Sequence, residues 1–290
     1  MINSTIQFIL ILIISSILLP TAALKQEGIY AQNSARTTNA TVLSSNEGNS
    51  QSELQNKSVN YYDSSSGYLV YPTTSSSNAT TIEAQQQKLP AVVMIHEWWG
   101  VNDNIKDMAN ELASEGYVVL AADLFNGEVA TDPSHARELS SSVRDNPEQA
   151  IANLQSAVQY LGSLPNVNSS RIVSLGWCFG GGQSLQLALN SEQNPLAATI
   201  IYYGNLVNDI GELSKINWPV LGIFGYQDQS IPVETVRQFE QILNEIGIPN
   251  EIYIYPGVGH AFANPSGDNY APEETADAWN KTLAFLDKYV

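Results

Sequence analysis

Three residues whose side chains could together cleave an acyl bond stand at the ends of apolar runs. The chain's one cysteine, Cys178, lies in GWCFGGG (176–182), between the run RIVSL (171–175) and a stretch of helical spacing at 179–190. Gly176 and Gly180 stand two residues to either side of it. G-x-C-x-G has the form of G-x-S-x-G, in which a nucleophile occupies a strained strand-to-helix turn and its neighbours must be tiny for strand and helix to meet. Amides at the start of the helix would face a bound oxygen, and the helix dipole favours an anionic sulfur. A buried structural thiol beside a tight turn is the competing reading. Asp228 ends the run GIFGYQD (222–228) and His260 sits in PGVGHAF (256–262). Alone, an aspartate there could be a helix cap and a loop histidine a surface residue. Together they give the chain order nucleophile, acid, base.

Side chains so far apart in sequence must be gathered by a regular framework. AVVMI (91–95) is a continuous apolar run, as in a strand covered on both faces. A helix is predicted over 103–116, with Ile105, Met108, Ala109 and Leu112 at helical spacing, Asp103 as N-cap and Gly116 as stop. The order continues with a strand at 117–125, helices at 134–144 and 147–161, and the strand leading to Cys178 with its helix. Strands in AATIIYYG (197–204) and PVLGIFGYQD (219–228), a helix at 233–246, a strand in EIYIYPG (251–257) and a helix at 273–289 complete it. Short strands in VNYYDS (59–64) and GYLVYP (67–72), joined by a Ser/Gly turn, read as an antiparallel edge. The alternation predicts an α/β fold: a mainly parallel sheet flanked by helices on both faces, with its chemistry beyond the carboxyl ends of the strands.

Upstream the composition changes. Residues 6–23 (IQFILILIISSILLPTAA) are apolar, and Thr21-Ala22-Ala23 resembles a signal-peptidase site. The segment 1–24 therefore reads as a signal peptide or as an uncleaved anchor, giving export, with a membrane tether in the second case. Residues 25–57 are rich in Ser, Asn, Gln and Thr and read as a polar linker, leaving 58–290 as the folded domain. Sequons at Asn39, Asn56, Asn78, Asn168 and Asn280 are compatible with an exported glycoprotein. A single cysteine excludes an internal disulfide. The formal charge of −17 argues against nucleic acid and anionic membrane surfaces as partners. No H-E-x-x-H spacing marks a metal site, and no G-K-[ST] follows the glycines to make a phosphate loop.

HEWWG (96–100), GWCFGG, YYG (202–204), GYQDQSIP (225–232) and GHAF (259–262), in this order, resemble the dienelactone hydrolase family of the α/β-hydrolases over about residues 58–290. The resemblance implies hydrolysis of an ester or lactone of a small substrate through a thioester, without metal or organic cofactor. It assigns Cys178 as nucleophile, His260 as base and Asp228 as the group that orients it. It implies that Glu97 holds the resting thiol until substrate binds. The amides of Trp98 and Phe179 are the candidates for the oxyanion hole, and Trp99, Tyr203 and Phe262 for contacts to substrate. Two positions depart from the family pattern. Where members that cleave dienelactone are expected to carry arginines against its carboxylate, this chain has Gly127, in DLFNG (123–127), and Asn264. A neutral ester or lactone is the expected substrate. A non-catalytic binding module on the same fold, and a thioester- or peptide-directed cysteine hydrolase, are the alternative readings.

Overall fold

The apolar runs assemble side by side because each is too hydrophobic to leave either face in water. The structure, a computed structural model, describes residues 53–73 and 88–290. Residues 1–24, expected to be a signal peptide or anchor, and most of the expected linker 25–57 lie outside the described residues. The strands are β1 (Glu53–Tyr62), β2 (Ser65–Thr73), β3 (Leu89–Ile95), β4 (Val118–Ala122), β5 (Val167–Trp177), β6 (Ala198–Tyr202), β7 (Val220–Gly225) and β8 (Asn250–Tyr255). The helices are α1 (Asp103–Ser114), α2 (Pro133–Asp145), α3 (Pro147–Ser163), α4 (Phe179–Leu189), α5 (Ile210–Leu213), α6 (Val233–Glu245) and α7 (Pro272–Tyr289).

The strands form one sheet in the order β1-β2-β4-β3-β5-β6-β7-β8. β1 and β2 pair antiparallel, β2 joins β4 antiparallel, and β3 to β8 run parallel. This is the mainly parallel, doubly covered sheet that the alternation of elements predicts. Side-chain alternation divides its two cores. Ala91, Val93 and Ile95 of β3 point to one face, with Leu154 and Leu161 of α3, Leu185 of α4 and Phe239 of α6. Val92 and Met94 point to the other, with Ile105 and Leu112 of α1 and Phe285 and Leu286 of α7. Each wholly buried aliphatic side chain contributes roughly 1.5–3 kcal/mol of transfer free energy.

Four local readings are corrected. β1 starts at Glu53, upstream of the expected boundary at 58, and its first residues are mostly exposed. Backbone pairing to β2, from Glu53↔Thr73 onward, carries an edge strand that has no apolar signal. The β1–β2 turn is Asp63-Ser64 rather than a Ser/Gly turn. Gly67 lies within β2, where a Cβ would come within 2.6 Å of Leu120 on β4. The N-cap of α1 is Asn102, whose Oδ1 accepts from the Ile105 amide at 3.1 Å, and Asp103 is the first helical residue. The single turn α5 has no signal in the sequence, because four residues are too few to show a helical period.

Candidate active site

The end of β5 is where sequence dictates geometry most tightly. Cys178 follows the last strand residue and precedes α4, with φ 55° and ψ −116°, a conformation that favours glycine. Its amide continues the ladder by donating to the Tyr202 carbonyl at 3.0 Å, so the strained residue is pinned from both sides. A Cβ at Gly176 would strike the carbonyl of Gly180, and one at Gly180 would strike the carbonyls of Ile95 and His96. These glycines let the start of α4 press against the end of β3. The HEWWG turn thereby comes beside the cysteine.

His260 and Asp228 arrive from beyond the ends of β8 and β7, on the far side of β6 from Cys178. Asp228 lies just beyond β7 and is 4% exposed. Its Oδ1 accepts from the amides of Ser230 at 2.7 Å and Ile231 at 3.0 Å, which fixes the carboxylate. Its Oδ2 is 2.7 Å from His260 Nδ1, and His260 Nε2 is 3.1 Å from Cys178 Sγ. Asp228 thus caps a turn with one oxygen and orients the imidazole with the other. Burial disfavours the imidazolium, but hydrogen bonds to Asp228 and Cys178, and their charges, outweigh it and push His260 up to about 10. The thiol and the imidazole are half-buried, and a cleft of about 540 Å³ opens beside His260, lined by Gln229, Ser230, Asn269 and Tyr270.

Glu97, just past β3, is 5% exposed. Its Oε1 accepts from the Tyr203 hydroxyl at 3.5 Å, and its Oε2 from the Asn264 side-chain amide. Burial pushes its carboxyl up to about 7, against the downward pull of His260 and of the hydrogen bonds from Asn264 and Tyr203. His96 beside it is wholly buried, with Phe125 and Phe179 against its ring. Its Nε2 accepts from the Leu124 amide at 3.2 Å and its Nδ1 faces the Glu97 carbonyl. Burial holds its pKa below the ordinary histidine value, so it serves as a neutral brace for the turn. No group of three or more His, Cys, Asp and Glu side chains among the described residues is arranged to hold a metal ion.

A strained cysteine, an imidazole and a buried aspartate thus meet beyond the carboxyl ends of the strands, and the chain as a whole has known relatives. The model of the dienelactone hydrolase family matches residues 78–290. The chain belongs to the dienelactone hydrolase family. A Saccharolobus solfataricus protein named "Putative carboxymethylenebutenolidase" is 30% identical over 239 residues, covering 68% of this chain and 88% of its own. A Salmonella typhimurium protein of the same name is 31% identical over 221 residues, covering 71% and 80%. The crystal structure of a "Putative Dienelactone Hydrolase" from Klebsiella pneumoniae superposes with a TM-score of 0.69 at 28% identity, over 82% of this chain and all of that one. The chain is a dienelactone hydrolase-like hydrolase with the α/β-hydrolase fold.

Several of the expected site residues are held by partners within the protein. Glu97's hydrogen bonds run to Tyr203 and Asn264, while the thiol's runs to His260. Phe262 is fully buried between Tyr203 and Tyr255 and supports the site from behind instead of facing a substrate. Tyr203 is equally buried; its hydroxyl is spent on Glu97 and its ring packs edge-on against His260 at 5.3 Å. Trp99 is partly exposed and packs edge-on against Trp98 at 5.1 Å. Asn264 as a partner for Glu97 went unseen, since the pair is 167 residues apart in sequence and has no local signal.

Proposed function

We propose that the protein hydrolyses a neutral carboxylic ester or lactone through Cys178, His260 and Asp228, by way of a thioester. The observation that supports this reading is the continuous chain of hydrogen bonds from Asp228 Oδ2 through His260 to Cys178 Sγ, at 2.7 and 3.1 Å. Asp228 holds His260 with Nε2 toward the sulfur. Nε2 takes the thiol proton as Sγ bonds to the carbonyl carbon, and the carbonyl π electrons move onto its oxygen. The amides of Trp98 and Phe179 are suited to that oxyanion because the HEWWG turn and the first turn of α4 are pressed together. Collapse of the adduct breaks the carbon–oxygen bond, and the leaving alkoxide takes the proton from Nε2. Water then gives a proton to Nε2 while its oxygen attacks the thioester. The second adduct collapses with cleavage of the carbon–sulfur bond, the acid departs, and the sulfur takes the proton back from Nε2.

Tyr203 and Asn264 act as positioning residues for Glu97. A carboxylate fixed near His260 favours the imidazolium formed during acyl transfer.

The test is a pre-steady-state assay with p-nitrophenyl acetate. A burst of one nitrophenolate per chain, an acetyl adduct on Cys178 by mass spectrometry, and slower turnover are expected, all abolished in Cys178→Ala. Labelling without turnover would leave a binding module. Turnover that survives in Cys178→Ala would remove the cysteine from the chemistry.

A further inference from the structure

We propose that the groove between α1 and α7 is a binding site for a small organic cation that also carries a hydrogen-bond acceptor. The groove encloses about 430 Å³ and is separate from the reacting side chains: Cys178, Asp228, His260 and Glu97 do not line it. Asp107, Met108 and Glu111 of α1 form one wall, Trp279 of α7 another, and Trp177 and Tyr270 complete the aromatic lining. Among the described residues, no lysine or arginine lines it.

Two independent features point to that ligand chemistry. The first is charge and aromaticity together. Asp107 and Glu111 are exposed, one helical turn apart, with Trp279 and the 41%-exposed Tyr270 also on the lining. Burial and the like charge of Glu115 raise the Glu111 carboxyl, against a downward pull from the Trp279 indole, so an arriving cation relieves repulsion already present. Carboxylates beside aromatic faces are the surroundings in which an ammonium group is held by charge and by ring quadrupoles. The second is Trp177. It is 1% exposed and contributes to the groove, and its indole Nε1 is buried with no hydrogen-bond partner. A buried donor left unpaired is costly, roughly as much as a lost hydrogen bond, so an acceptor that reaches it from the groove would satisfy it. A cation alone leaves that donor orphaned, and an acceptor alone leaves the acids unanswered.

The groove adjoins the cleft beside His260. Tyr270 lines both this groove and the cleft beside His260, and Asn269 next to it donates to the His260 carbonyl at 3.0 Å. The proposal does not rest on the proposed reaction.

The test uses three probes of graded chemistry on the full chain: choline, its neutral isostere 3,3-dimethylbutan-1-ol, and tetramethylammonium, which has no acceptor. Calorimetry is expected to give choline about tenfold tighter binding than the neutral isostere. The double variant Asp107→Asn, Glu111→Gln alters only exposed side chains. It is expected to weaken choline about tenfold, to leave the isostere unchanged, and to hydrolyse p-nitrophenyl acetate at the native rate. The indole N–H resonance of Trp177, assigned with Trp177→Phe, is expected to move with choline and much less with tetramethylammonium. Protein alkylated at Cys178 is expected to bind choline undiminished. Equal affinity for choline and its isostere, native choline affinity in the double variant, or loss of binding on alkylation overturns the site. An indole signal that does not move with choline overturns the acceptor requirement.

Discussion

At the residue scale the site is governed by two titrating groups whose surroundings act in opposite senses. Hydrogen bonds to Asp228 and Cys178, with their charges, push His260 up although burial works against it, whereas Glu97 is pushed up to about 7 by burial although three neighbours pull it down. The glutamate gives a signed prediction. Its folded pKa of about 7 exceeds the ordinary 4.5, so the folded chain binds that proton more tightly than the unfolded chain does. The stability it contributes is complete below pH 4.5 and is lost as pH rises through 7. Glu97→Gln keeps the Asn264 contact and cannot ionise. Relative to the native protein it is expected to gain up to about 3 kcal/mol between pH 4.5 and pH 7.5, read as urea midpoints at a series of pH values. Parallel curves for the two proteins would mean that Glu97 has the same pKa folded as unfolded. Asp228 acts differently. It fixes the imidazole's tautomer, so Asp228→Asn is expected to lower kcat by about 10⁴-fold with little change in KM for a neutral ester. A loss of less than about tenfold would assign the buried aspartate to the turn it caps and not to catalysis.

At the scale of elements, the conformation that exposes the nucleophile is itself strained. Cys178, Tyr203 and Ala261 all have positive φ, at the ends of β5 and β6 and next to His260. Each such residue costs about 1–3 kcal/mol, which the buried sheet beneath must offset. Removing the side chain at 178 should release part of that cost. Cys178→Gly is expected to be more stable than Cys178→Ala by about 1 kcal/mol, despite the greater freedom of glycine when unfolded, with both inactive. Gly180→Ala works in reverse. Its methyl would meet the Ile95 and His96 carbonyls, so unfolding free energy is expected to fall by about 2 kcal/mol and turnover with it as α4 is pushed off β3. Much of this framework was legible beforehand, because the apolar runs of β3, β4, β5 and β7 and the glycines at 176 and 180 are constraints that any covered parallel sheet must satisfy. What stayed hidden has a common cause. The start of β1 depends on ladder bonds made with mostly exposed residues, and the Glu97–Asn264 pair depends on two loops that only the finished fold brings together. The burial of Phe262 was hidden likewise, since its place in GHAF says nothing of the Tyr203 and Tyr255 rings that enclose it.

The whole molecule adds address and charge. Residues 1–24 lie outside the described residues, and no helix among the described ones is long and apolar enough to cross a membrane. We propose that this segment directs export. A chain lacking residues 1–24 is then expected to stay inside the producing cell while the full chain leaves it, and equal retention of both would end that proposal. Charge bears on the substrate. With a formal charge of −17, the field of the protein opposes the approach of anions. The two positions where arginines are expected against a carboxylate offer no local remedy. Gly127, at φ 89°, gives its amide to the buried Asp123 carboxylate and shapes a turn, and Asn264 is committed to Glu97. An anionic lactone would thus meet a repulsive field and the Glu97 carboxylate. kcat/KM for a neutral aryl ester is expected to exceed that for an anionic lactone by at least about tenfold at low salt, and to be indifferent to ionic strength. Raising salt from about 10 to 150 mM shortens the Debye length from roughly 30 to 8 Å, so the anion's kcat/KM should rise severalfold while its kcat stays constant. Preference for the anion at low salt, or a kcat/KM that falls as salt is added, would require a cationic subsite strong enough to overcome the molecule's own field.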